Sequence, residues 1–134
     1  SMADPMLPRP GRGIAIVDFK RPGAVSWLAH APELAVYGID GLYLRGHELI
    51  AVQNGTVPER LLLLRLDPGF TRITSWSVLL ARAPGLGDPT HGVLTGRQFQ
   101  FIVNSGWDRV DEQGQLNPAA TADNPAIWSI DLPD

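Results

Sequence analysis

Two nine-residue stretches decide the fold of this chain. Gly46–Asn54 reads GHELIAVQN and, 50 residues further on, Gly96–Asn104 reads GRQFQFIVN. Both open with Gly and close with Asn around an apolar-rich core. The residues just upstream also match, because DGLYL from Asp40 aligns with HGVL from His91 once one residue is deleted. Self-similarity at a period of about 50 residues is typical of folds built from stacked units.

A third element recurs outside these stretches, as an apolar run that ends in Asp and a Pro-containing turn. It reads IAIVDFKRPG from Ile14, LLLRLDPG from Leu62 and IWSIDLP from Ile127. Every piece of the repeat is short and rich in β-formers, and Gly or Pro interrupts the chain before an average helix could form. Gly46 and Gly96, each followed by one residue between two apolar runs, predict two-residue type II′ hairpins.

Residues 59–66, ERLLLLRL, are the one segment with a strong competing interpretation. Every residue there is a good helix former. A strand is favoured because the segment aligns with the β-branched runs at 14–18 and 127–130. Pro58 and Pro68 also leave too little length for a stable helix.

The sequence therefore predicts an all-β chain made of four-stranded antiparallel β-propeller blades, about two per chain, with strands A to D in each. Residues 1–12 are expected to be a tag and a flexible tail, and residues 13–134 a two-repeat propeller segment. Its strand order is C-D, A-B-C-D, A-B-C. The predicted strands lie at 14–19 and 24–29; at 41–45, 48–54, 61–67 and 75–81; and at 92–95, 98–104 and 126–132.

Composition excludes several classes of function. With 11 basic against 14 acidic residues and no basic run, the chain is not expected to bind nucleic acid. Without cysteine it has no thiol nucleophile and no Cys-ligated metal. Apolar runs such as Leu61–Leu64 fall far short of the roughly 20 residues that span a bilayer, so a soluble protein is expected, in an undetermined compartment. The 10 arginines against one lysine suggest a bacterial source.

Five segments carry a resemblance to a known family, namely GIDGLYLRGHELIAVQNG, RLLLLRLDPGFTRI, PTHGVLTG, FIVNSGWDRVDEQGQL and AIWSIDL. They resemble the C-terminal part of six-bladed propellers in the gluconolactonase, senescence marker protein and luciferin-regenerating enzyme superfamily, including its NHL-like bacterial members. The resemblance covers about 13–132. Because this superfamily contains lactonases, arylesterases and scaffold members, the resemblance implies a fold and leaves the activity open.

Ligand chemistry in propellers lies where strand D passes into strand A, which here points to Asp40, Thr90 and His91. The resembled hydrolases hold one divalent cation there with Glu, Asn and Asp oxygens, ligands that suit calcium. Asp40 matches that pattern in position and type and is the candidate metal ligand and catalytic residue, whereas Thr90 and His91 depart from it. In the alternative interpretation Asp40 accepts backbone N–H bonds before Gly41, and His91 only caps a strand.

The insertion at 105–125 is the candidate functional loop, because it breaks the length of the repeat. Its Trp107 is a candidate ligand contact at the channel mouth; the alternative is that Trp107 packs against a neighbouring blade. Asn54 and Asn104 occupy equivalent positions after strand B, and we interpret them as blade-building residues.

Two functions follow from this organisation. One full blade and parts of two others leave open faces and strand edges, so a partner is expected. That partner is the chain itself, most simply as a homotrimer that forms a six-bladed ring, or the remainder of a longer propeller. The first function is a self-assembling scaffold or binding module with room for an axial ligand. The alternative is a metal-dependent lactonase or esterase in which Asp40 activates water.

Overall fold

A computed structural model describes residues 13–119 and 124–134. These residues form nine strands and one 3₁₀ turn at Trp107–Arg109. The strands are β1 (Ala15–Val17), β2 (Val25–Trp27), β3 (Ile39–Arg45), β4 (Glu48–Gln53), β5 (Arg60–Leu66), β6 (Ile73–Ala81), β7 (Gly92–Thr95), β8 (Gln98–Ile102) and β9 (Ile127–Asp131). The predicted tail at 1–12 lies outside the described residues. In the described part of the chain no helix is long and apolar enough to cross a membrane.

The strands form three antiparallel sheets in which neighbours in sequence pair with each other. The first sheet is β1-β2, the central sheet is β3-β4-β5-β6 and the third sheet is β7-β8-β9. None of them closes on itself. The predicted all-β class and the predicted antiparallel pairing are confirmed, and every strand end lies within two residues of its predicted place.

Two-residue turns join β3 to β4 and β7 to β8, as the Gly-x pattern predicts. Gly46 has φ 59° and Gly96 has φ 60°. Among the described residues, His47 and Arg97 do not share this positive φ. A positive φ at the first central residue followed by a negative φ at the second matches type II′, so both predicted two-residue hairpins are confirmed.

The segment with the competing helix interpretation is strand β5. It pairs with β4 on one side and with β6 on the other. Its leucines Leu61–Leu64 are only 0–1% exposed, with Leu62 and Leu64 in one hydrophobic cluster and Leu61 and Leu63 in another. Burial on both faces explains the continuous apolar run, and this packing overrides helix propensity.

Two hydrophobic clusters therefore hold the sheets together, one on each face of the central sheet. On one face the first sheet and the connection to β3 supply the cover, through Ile14, Ile16, Leu28, Leu34 and Val36. On the other face the third sheet supplies it, through Phe99, Phe101, Val103 and Leu132. The ring of Tyr43 in the central sheet contacts Phe99 with centroids 5.0 Å apart.

The two ends of the central sheet differ in their polar contacts. We call the end with the β3-β4 turn the turn end, and the opposite end the loop end. At the turn end Glu48 accepts hydrogen bonds from Arg45 at 2.6 Å and Arg65 at 2.7 Å, and Arg45 also donates to the Pro133 carbonyl at 2.6 Å. Ala29, just after β2, forms an isolated parallel β-bridge with Arg72 at the same end, through backbone hydrogen bonds. These bonds tie both flanking sheets to the central one.

The alternation along β5 leads to a stability prediction. Leu62→Ala and Leu63→Ala should each lower the free energy of unfolding by about 2–5 kcal/mol, because each empties a filled site on a different face. Urea denaturation measures both. Ser75→Ala, on the exposed part of β6, is the control and should change stability by less than about 0.5 kcal/mol. A large loss at only one of the two leucines would show that one face of the sheet is not packed as described.

Candidate functional site

The loop end gathers the candidate site, because several connections meet there. A close backbone approach fixes the start of this region: the N–H of Gly55 donates to the carbonyl of Gly38 at 3.0 Å. A Cβ on Gly55 would lie 2.6 Å from Gly38 Cα, so a larger residue would push the two segments apart. The start of β3 and the loop after β4 are thereby held side by side.

A β-bulge at the start of β3 sets the orientation of the Asp40 side chain. The pairing register with β4 shifts between Ile39 and Gly41, so Asp40 has no partner on the neighbouring strand. A bulge of this kind bends the strand and re-aims the side chain of the extra residue. The carboxylate of Asp40 is directed towards the segment that enters the third sheet.

Asp40 links the central sheet to the third sheet through side-chain hydrogen bonds. Its Oδ2 atom accepts from Thr90 Oγ1 at 2.7 Å and from Asn54 Nδ2 at 3.1 Å. Asn54 Nδ2 also donates to the Pro89 carbonyl at 3.0 Å. Thr90 is only 7% exposed, so its hydroxyl needs an acceptor inside the protein. Among the described residues these two side chains donate to Asp40, and Asn54 also bonds loop backbone, as its interpretation as a blade-building residue implies.

The other two sequence-predicted site residues lie elsewhere. His91 is exposed, and its backbone carbonyl accepts from Ile102 N at 3.0 Å, next to an apolar groove on the third sheet. Trp107 is 68% exposed in its 3₁₀ turn, so its ring is not packed into either hydrophobic cluster. Of the four candidates, the structure brings only Asp40 and Thr90 into contact.

A cleft of about 540 Å³ opens at the loop end beside Asn54. Its polar groups include the Glu59 carboxyl and the Arg82 guanidinium. Arg82 has φ 55°, an uncommon backbone conformation for a side chain of its size. The cleft is lined by Asn54, Gly55, Thr56, Val57, Pro58, Glu59, Arg82 and Leu86. Its lining therefore includes one acidic and one basic residue.

The charges of Asp88 and Asp108, which lie on two other connections, act on Glu59 at the loop end. Burial, together with the charges of Asp88 and Asp108, raises the pKa of Glu59 to about 7. Burial also raises the pKa of Asp88, opposed by a 2.9 Å hydrogen bond from Ser105 and reinforced by Asp108 and Asp40. A carboxyl whose pKa is near neutrality exchanges its proton at physiological pH.

The sequence interpretation missed Glu59 and Asp88. Both sit in connections at the loop end, Glu59 directly before β5 and Asp88 two residues before Thr90. An acidic residue before each of these strands was a usable signal, because β5 and β7 both start at the loop end. The shift in pKa depends on burial, which the pattern does not reveal.

The described residues, 13–119 and 124–134, contain no group of three His, Asp or Glu side chains that could hold a metal ion. The Oδ2 atom of Asp40 is already engaged by Thr90 and Asn54. The calcium site that the family resemblance implies at Asp40 does not fit the described part of one chain. No step through a metal is therefore assigned to this chain.

Comparison of the chain with known proteins does not assign it to a family. No family model, no curated protein and no solved structure matches the chain. The resemblance to gluconolactonase-like propellers stays an expectation from the residues.

The Asp40 network leads to a second prediction. Asp40→Ala should lower the free energy of unfolding by about 1–2 kcal/mol, because the buried Thr90 hydroxyl loses its acceptor. Thr90→Val should cost a similar amount. The double variant should cost less than the sum by at least about 0.5 kcal/mol, since one hydrogen bond is removed only once. Urea titration of the four proteins measures this coupling, with the exposed Glu33→Ala as control. Strict additivity would contradict the contact.

The raised pKa of Glu59 leads to a prediction about pH. The folded protein holds the Glu59 proton up to about pH 7, whereas the unfolded chain releases it near the ordinary value of 4.5. The free energy of unfolding should therefore fall as pH rises from about 5 to 7 and then level off. Replacing the carboxyl by an amide, in Glu59→Gln, removes the titrating group. We expect wild type to lose up to about 1 kcal/mol more than Glu59→Gln between pH 5 and 8, because solvent screens a partly exposed carboxyl.

Urea midpoints at pH 5, 6, 7 and 8 test this expectation, with Glu33→Gln as the matched control. Glu33→Gln should follow the wild-type pH curve. The raised pKa of Asp88 contributes a fall in the same direction. Coincident curves for wild type and Glu59→Gln would show that Glu59 has an ordinary pKa.

Proposed function

We propose that this chain is a self-assembling scaffold module whose stack of sheets is completed by further copies of itself. The observation that carries the proposal is the contrast between the sheets. The central sheet is covered on both faces. The outer faces of the other two carry exposed Val17 and Val25 on the first sheet, and Val93, Ile102 and Ile127 on the third.

Two features that are unfavourable in an isolated chain favour association. Apolar side chains on an exposed sheet face favour contact with another apolar surface, and unpaired strand edges favour added backbone partners. In a row of stacked sheets each sheet covers one face of its neighbour. Only the outer faces of the first and last sheets stay open, and a ring closes when these two faces pack together. Copies of one chain supply both of these faces.

The number of copies depends on how the outer sheets join. Two repeats per chain, as counted from the sequence, need three copies for six blades. Three sheets per chain, if each stays separate, need two copies for the same number. The loop-end cleft, with Glu59 and Arg82, would be presented once by every copy.

A hydrolase of lactones or esters is a second candidate, favoured by one observation. The pKa of Glu59, about 7, suits a general base that takes a proton from water as that water attacks a carbonyl. This role belongs to Glu59 rather than to Asp40, because Asp40 is engaged by Thr90 and Asn54. The pH comparison with Glu59→Gln bears on it directly, since an ordinary pKa would remove its support.

Light scattering tests the scaffold proposal. We expect the purified chain to be an oligomer of 14.5 kDa subunits. A mass near three subunits fits outer sheets that merge in pairs, and a mass near two subunits fits sheets that stay separate. A mass of one subunit at micromolar and higher concentration would contradict self-assembly and favour the remainder of a longer propeller as the partner.

A further inference from the structure

We infer that copies of this chain associate head to tail, with the outer face of the third sheet of one copy packed on the outer face of the first sheet of the next. The inference rests on the proposed self-assembly and names its two surfaces. We call the cross-strand pair Val17 and Val25 the knob, and the recess formed by Val93, Ile102 and Ile127 the groove.

The contact between the central and third sheets shows which faces meet. The central sheet presents Ile50 and Val52 of β4 to Phe99 and Phe101 of β8. By the 50-residue repeat, Phe99 and Phe101 are the equivalents of Leu49 and Ala51. Leu49 and Ala51 lie on the other face of the central sheet, which packs towards the first sheet. We call the Ile50 face forward and the Leu49 face rear, so this contact joins forward to rear.

The contact between the first and central sheets follows the same rule. Aligning IAIVD from Ile14 with LLRLD from Leu63 makes Ile14 the equivalent of Leu63, which lies on the forward face. Ile14 and Ile16 pack into the cluster on the rear face of the central sheet. Both internal contacts therefore join a forward face to a rear face.

The open face of the third sheet is of the forward kind. Ile102 lies 50 residues after Val52, and Gln100 lies 50 residues after Ile50. Ile102 pairs with Ile127, which is 73% exposed. The groove beside them holds about 300 Å³ and is mainly apolar in its lining. This face has the position of an inter-sheet surface and side chains that suit one.

The open face of the first sheet is of the rear kind. The same alignment makes Ala15 and Val17 the equivalents of Leu64 and Leu66, which face the rear cluster. Val17 and Val25 stand directly opposite each other on β1 and β2 and are 54% and 45% exposed. Such a cross-strand pair forms one compact apolar projection. The knob is therefore the surface that would pack against the forward face of the third sheet in another copy.

Two alternative contacts fit less well. Pairing like with like would set knob against knob or groove against groove, which leaves the groove unfilled. Merging two outer sheets through strand pairing would put β1 beside β8. That position is taken by β9, which pairs with β8 from Gln98–Asp131 to Ile102–Ile127. The heterologous face contact uses both surfaces and displaces no strand.

Mixing two blocked variants tests the inference. In the knob-blocked variant Val17 and Val25 are both changed to Asp, and in the groove-blocked variant Val93 and Ile127 are both changed to Lys, so that the two blocked surfaces do not repel each other where a ring of two copies brings them together. Each variant alone should be a monomer, because association would bury the charges introduced on one of its two surfaces against an apolar surface. An equimolar mixture should form a one-to-one heterodimer through the intact groove of the first and the intact knob of the second. Native mass spectrometry separates the two subunits by mass.

The remaining outcomes are distinct from one another. If one variant alone still forms a homodimer and the mixture gives no heterodimer, the contact is isologous and the inference is overturned while self-assembly stands. If wild type is itself a monomer, the proposed function and the inference fail together. Leu116→Asp, on the exposed insertion, is the control and should assemble as wild type does. Circular dichroism and melting curves verify that the blocked variants are folded.

A disulfide experiment covers the case in which a blocked variant does not fold. The chain has no cysteine, so introduced cysteines have only each other as partners. Val25→Cys and Ile127→Cys proteins, mixed under oxidising conditions, should give mainly the mixed disulfide. Val57→Cys, fully exposed at the loop end, replaces Val25→Cys in the control and should give a random mixture. A random mixture from the first pair as well would overturn the inference.

Discussion

Both faces of the central sheet have to be covered at the same time, and the arrangement of the other strands follows from that constraint. Strands β4 and β5 place fully buried aliphatic side chains on each face, including Ile50, Ala51 and Val52. Full burial of one such large side chain stabilises the fold by about 2 kcal/mol. Without the first and third sheets these side chains would face water. We therefore expect the three sheets to fold as one unit rather than independently of one another.

The same constraint explains why the ends of the stack are chemically different from its middle. The outer face of the third sheet mixes apolar with polar residues, whereas the outer face of the first sheet carries Ala15, Val17, Val25 and Trp27. The groove face includes Gln100 beside Ile102, whereas the equivalent residues of the central sheet are Ile50 and Val52. A mixed surface of this kind tolerates water in a free chain and still packs on contact, as non-permanent interfaces do.

Much of the fold could be predicted, because the 50-residue repeat carries it. Matching Gly46–Asn54 with Gly96–Asn104 fixed the hairpins, and aligning three Asp-ending runs decided between helix and strand for β5. The early starts of β3 and β6 could not be predicted from the pattern. The bulge at Asp40 lengthens β3, and the Ala29 carbonyl binds Ile73 N at 2.8 Å where β6 begins.

The candidate site could be predicted only in part. Repeat logic located Asp40 and Thr90, since both precede the first strand of a unit, and the structure joins them across two sheets. It did not find Glu59 or Asp88, because their raised pKa values come from burial and from charges on separate connections. Trp107 stood out by residue type, yet its exposed ring lies outside both hydrophobic clusters.

The buried amide of Gln53 makes the first of the two repeated units structurally different from the second. Its Nε2 atom donates to the carbonyls of Ala35 at 3.0 Å and Tyr37 at 2.6 Å, and its Oε1 atom accepts from Arg60 at 2.6 Å. The equivalent position in the next unit is Val103, which belongs to an apolar cluster. The two units are therefore not interchangeable parts. A chain in which the later unit was copied into the earlier place would have valine there, and the Ala35 and Tyr37 carbonyls and the Arg60 guanidinium would lose the amide that all three contact.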